Sequence, residues 1–104
     1  MDEQLKETQK QLHQEALSLR ERVIEYCRVR GVLDDYSGFI KYLQQIADVL
    51  AKDPVDARWL LDEIWGIYRV VSESYMEKTV LGEDLYSFTD KVREFANSVI
   101  GRSS

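Results

Sequence analysis

Residues 2–30 contain neither glycine nor proline, and Leu5, Leu12, Leu19 and Tyr26 fall along them at seven-residue spacing. A helix returns residues at that spacing to nearly the same side, so the stretch predicts one long amphipathic helix. At the helical rise it would extend roughly 43 Å. No other stretch of the chain promises a helix of that length. The N-terminal part of its apolar stripe is therefore expected to meet a second chain.

The chain has 104 residues, a size that suits one domain and is too small for two independent cores. Hydrophobic residues make up 44% and charged residues 32%, a balance that supports a packed core. No apolar run approaches the roughly 20 residues that cross a bilayer, so no membrane partner is expected. The first residues, MDEQLKETQKQ, carry neither the basic nor the apolar region of a secretory signal, which reads as a cytoplasmic protein. A single cysteine permits no internal disulfide and agrees with a reducing compartment. Nineteen acidic residues against fourteen basic ones leave a net charge of −5. The densest basic group, Arg20, Arg22, Arg28 and Arg30, is threaded with Glu21 and Glu25, so binding to a phosphate backbone is not expected.

Punctuation divides the chain into four helices. Gly31 suits the left-handed conformation that follows a helix C-terminus. Leu5, Leu12, Ala16, Leu19, Val23 and Cys27 share one sector of helix 1, and Leu17 and Ile24 add a second stripe on its C-terminal half only. A turn over 31–38 leads to helix 2, which runs to about Lys52 and buries Phe39, Leu43, Ile46, Ala47 and Leu50. Asp53 and Pro54 read as N-cap and first helical residue of helix 3, which extends to about Lys78. Ala57, Leu60, Ile64, Ile67, Val71 and Tyr75 form its broad apolar face, with Trp59 and Trp65 on opposite flanks. A turn containing Gly82 precedes helix 4, which spans about 84–100 and carries Leu85, Phe88, Val92, Phe95 and Ala96. Short connections make neighbours antiparallel, so the expected fold is all-α: a single four-helix bundle over 1–104 with a long N-terminal helix.

Residues suited to catalysis or metal binding are sparse. His13 is the only histidine, and Lys10 stands where the Glu-x-x-His motif of di-metal bundles requires glutamate. His13 and Cys27 lie roughly 20 Å apart along one helix, too far to share a zinc ion. No metal or cofactor is expected. Cys27 projects beside Val23 on the apolar face, where cysteine behaves as a small hydrophobe. The carboxylate pairs Asp34-Asp35 and Glu83-Asp84 fall in turns, and Asp62 belongs to a charge ladder with Arg58. There is no phosphate-binding glycine loop, nucleophile elbow or calcium loop.

These features predict a non-catalytic protein-interaction module, a small regulatory or assembly protein. It is expected to be a homodimer joined through Leu5 and Leu12. Its partner surface is expected to combine Asp34, Asp35, Glu83 and Asp84 with whichever of Trp59 and Trp65 the core cannot accommodate, since tryptophan is enriched at binding hot spots. Two other readings compete. One is an acidic inhibitor or immunity-type protein that binds a basic partner, and the other is a small-molecule site between helices lined by Trp65, Tyr68 and Met76.

Overall fold

The computed structural model describes residues 3–103. The protein is an all-α bundle of four rods, as the sequence predicts, and no strand occurs among the described residues. Helix α1 (Glu3–Arg30) and helix α2 (Ser37–Leu50) form one hairpin. The third rod consists of two short helices, α3 (Ala57–Glu63) and α4 (Trp65–Ser72), followed by a 3-10 turn over Tyr75–Lys78, and α5 (Val80–Ser103) is the fourth. The expected first residue of α1, Asp2, lies outside the described residues.

Side-chain links set the directions of the rods. Arg22 pairs with Asp84 at 2.8 Å and Glu15 with Lys91 at 3.2 Å, so seven residues forward on α1 match seven backward on α5. His13 Nδ1 donates to the Ala47 carbonyl at 2.9 Å, and Gln9 Nε2 donates to the carbonyls of Leu50 and Lys52 at 2.8 Å each. These bonds lay α2 antiparallel on α1, and those from Gln9 satisfy the carbonyls of Leu50 and Lys52 beyond the last helical bonds of α2. The α3–α4 rod packs on α5, and α1 with α5 joins the two hairpins. Val23, Cys27, Leu43, Ile46, Leu60, Ile64, Ile67, Val71, Leu85, Phe88 and Val92 are fully buried between them.

The end of α1 follows expectation. Gly31 has φ +69°, and the amides of Gly31 and Val32 donate to the carbonyls of Arg28 and Cys27 at 3.2 and 2.9 Å. That pair of bonds is the Schellman motif, which needs a residue able to adopt positive φ at this position.

The third rod departs from the continuous helix expected over 53–78. Asp56, not Asp53, is the N-cap: its carboxylate accepts from the Trp59 amide at 3.0 Å, the bond from the cap to the third helical residue. The rod breaks at Ile64, and Gly66 follows within the next turn. A Cβ on Gly66 would lie 2.8 Å from the Tyr42 hydroxyl, so the glycine lets the Tyr42 ring rest on the α4 backbone. Burial, with the charge of Glu63 adding to it, pushes the Tyr42 phenol up to about 12.

At the far end of α4 the serine side chains turn back on the backbone. Ser72 Oγ donates to Arg69 O at 3.1 Å and Ser74 Oγ to Val71 O at 2.9 Å, while Ser74 Oγ also accepts from the Met76 amide. Serine competes with the helix for backbone groups in this way, and α4 stops at Ser72.

Helix α5 begins at Val80, earlier than the expected Asp84. Thr79 Oγ1 accepts from the Gly82 amide at 3.1 Å and so caps it. Gly82 is therefore a helical residue and not part of a turn. A Cβ there would fall 2.1 Å from the Met76 carbonyl oxygen, so glycine is what allows the 3-10 turn to lie against the first turn of α5.

Candidate interaction surface

The antiparallel register brings the turn after α1 and the turn before α5 to the same end of the bundle. Residues from both turns line one groove of about 500 Å³: Tyr26 and Arg30 from the end of α1, Val32, Asp35 and Tyr36 from its turn, Phe39 from α2, and Val70, Glu73 and Tyr75 from the end of the third rod. Large apolar side chains surround it. Among the described residues five large hydrophobic side chains are plainly exposed, and four of them belong to this end: Val29 (72%), Leu33 (39%), Tyr75 (87%) and Val80 (67%).

Local chemistry explains why these side chains are uncovered. Val29 lies on the solvent side of α1, just before the Schellman turn, and Leu33 is carried outward by that turn. Tyr75 was expected on the buried face of a continuous helix. Because α4 ends at Ser72, Tyr75 begins the 3-10 turn instead and projects into solvent, while its neighbour Met76 takes the fully buried position. Inside the groove the Arg30 guanidinium stands 3.8 Å from the centroid of the Tyr26 ring. Burial pushes the Tyr36 phenol up; Cys27, Tyr26 and Asp35 act in the same direction, and a hydrogen bond with Ser74 from the opposite turn acts against them.

The sequence-derived site residues are dispersed over the molecule. Leu5 and Leu12, expected as a seam for a second chain, are only 8% and 3% exposed. The reason is that α5 continues through Gly101 to Ser103 and runs beside the start of α1, where Leu5, Leu12, Phe95, Ser98 and Arg102 line a common furrow. The apolar stripe of α1 is thus covered within the chain, which removes the observation on which the homodimer expectation rested. Asp34 and Asp35 are exposed in the turn, and Asp35 reaches the groove together with Glu73, an acid the sequence reading did not single out. Glu83 is exposed on α5, whereas Asp84 is engaged by Arg22 of α1, so the four turn acids do not act as one free set.

The tryptophans separate as their opposite flanks predict. Trp59 is half-buried against the core, and Trp65 is 51% exposed. Trp65 is not at the groove. It starts a row in which Trp65 and Tyr68 rings lie 5.7 Å apart and Tyr68 and Tyr86 rings 4.6 Å apart, with the Arg93 guanidinium 4.3 Å from the Trp65 centroid. Met76 is wholly buried, so Trp65, Tyr68 and Met76 do not line a common site open to solvent.

Cys27 is fully buried, and desolvation pushes its thiol up more strongly than the nearby Arg30 pulls it down, which disfavours the reactive thiolate. Among the described residues no group of three or more His, Cys, Asp and Glu side chains is placed to hold a metal ion, and no helix is long and apolar enough to cross a membrane. No protein-family model, curated protein or solved structure matches this chain.

Proposed function

We propose that this chain is a non-catalytic protein-interaction module of the cytoplasm, and that a partner protein docks on the end formed by the two turns. The observation that carries this reading is a groove with a largely apolar lining at the turn end, with Tyr75, 87% exposed, on that lining and exposed Val29, Leu33 and Val80 at the same end of the bundle. Large apolar side chains left exposed at one end of a bundle suit contact with another protein, and aromatic side chains supply much of the energy of binding hot spots. The burial of Cys27 supports a role without covalent chemistry.

Site-specific photocrosslinking in the source cells tests the reading. A photoreactive phenylalanine analogue at Tyr75 should join the chain to a discrete protein partner, and the same analogue at exposed Gln14 of α1 should not. Equal labelling from both positions would remove the proposal.

A further inference from the structure

We infer that the groove receives a basic segment of the partner protein, an arginine or lysine side chain flanked by apolar residues. This rests on the proposal that the turn end is the docking surface, and it adds the chemistry of what docks. Charge is the first ground. Asp35 and Glu73 line the groove from different turns, and Asp34 adjoins Asp35. Among the described residues no ion pair reaches any of the three. Arg30 is the basic residue on the lining, and its guanidinium is drawn over Tyr26. The groove thus presents more negative than positive charge, and an incoming cation meets carboxylates that need not first be freed from a partner.

The aromatic lining is the second ground. Tyr26, Tyr36, Phe39 and Tyr75 all contribute to it. The faces of such rings attract ammonium and guanidinium groups, more strongly as those groups lose water. The Arg30 guanidinium over Tyr26 is an instance of that contact within the same groove. A volume of about 500 Å³ accommodates more than one side chain, and Val32, Phe39 and Val70 on its lining offer apolar contact to residues flanking the cation. A groove of that size with apolar as well as acidic lining favours a polypeptide over a free amine. The same acids oppose nucleic acid, an anionic membrane and the like-charged end of a second copy.

The test is selection of random displayed peptides on the full chain, followed by fluorescence anisotropy with the enriched peptides as synthetic probes. Enriched sequences should carry Arg or Lys beside Leu, Tyr or Trp. Their affinity should fall roughly tenfold or more in Tyr75→Ala and in the double variant Asp35→Lys/Glu73→Lys, with the salt dependence flattened in the latter. Gln14→Ala on exposed α1 should leave affinity unchanged. Thermal melts of each variant show whether the fold persists, and all three altered side chains at the groove are exposed. Neutral or acidic peptides that still depend on Tyr75 would overturn the basic class and leave the docking surface standing. Peptides indifferent to Tyr75, or no enrichment over an unrelated protein, would overturn both.

Discussion

Where α1 begins and α5 finishes, two long helices run side by side, and even Leu5, near the very start of α1, is buried. At the opposite end two turns close the bundle, and Tyr75 and Val80 stand in solvent. Both ends carry apolar residues with ordinary helical or turn neighbours, so composition does not account for the contrast. What differs is whether a second element continues alongside. Helix α5 keeps pace with α1 to Ser103, whereas α4 halts at Ser72 and hands over to a 3-10 turn too short to cover its own first residue. Apolar surface is left open where helices end out of step, and that is where the proposed docking surface lies.

The largest effects should come from the covered end and the core it joins. Leu12→Ala should cost about 2–5 kcal/mol, close to the cost of Ile64→Ala in the fully buried centre, because both remove a large aliphatic group from packed surroundings. Urea denaturation measures both. A Leu12→Ala cost near zero would mean that the terminal end is as open as the turn end, and the contrast would collapse.

Gly82→Ala should come next, at about 1–3 kcal/mol, since the new methyl meets the Met76 backbone carbonyl and not a side chain that can swing aside. Gly38→Ala is the control, because nothing lies within 4 Å of a Cβ there. Equal melting temperatures for the two variants would show that the 3-10 turn is free to shift, and that the groove it walls is not preformed.

Periodicity made the class of fold and most of the core legible. Leu60, Ile64, Ile67 and Val71 repeat at helical spacing, and the structure buries every one of them. Glycine 31 marked the end of α1 correctly because a Schellman turn is a local, single-residue requirement. The third rod misled because its apolar pattern runs on through the break at Ile64 and past Ser72. The stop signals there are serine hydroxyls bonding back to the chain, and Ser72-Glu73-Ser74 was the readable trace of them. Gly82 reads from the sequence as a turn residue, and only the packing of Met76 against α5 makes it a close-approach glycine inside a helix. Of the candidate site, Asp34 and Asp35 were legible as turn acids. Tyr75 and Glu73 were not, since their placement follows from where α4 ends.

A smaller effect sharpens the account of the covered end. Gln9→Ala removes two hydrogen bonds of 2.8 Å to the carbonyls of Leu50 and Lys52, one of them exposed, so the cost should be about 1 kcal/mol. Amide exchange should locate the loss at the end of α2. Protection unchanged over 47–52 would show that water replaces the glutamine without penalty, and that α2 needs no fastening to α1 there.

The smallest effect on stability should be that of Tyr75→Ala. The side chain is 87% exposed, so truncating it removes little packing. A change within about 0.5 kcal/mol is expected, the usual range for a surface position. Placed beside Leu12→Ala, this gives two large apolar side chains at opposite ends with opposite costs on removal. The comparison is most exposed to failure here. If Tyr75→Ala unfolds the protein as readily as Leu12→Ala, the tyrosine is packed in solution, the groove is closed by its own ring, and the open end becomes a second covered one. If the fold is indifferent while peptide affinity falls, Tyr75 has no structural role to explain its position, and binding is the role that remains.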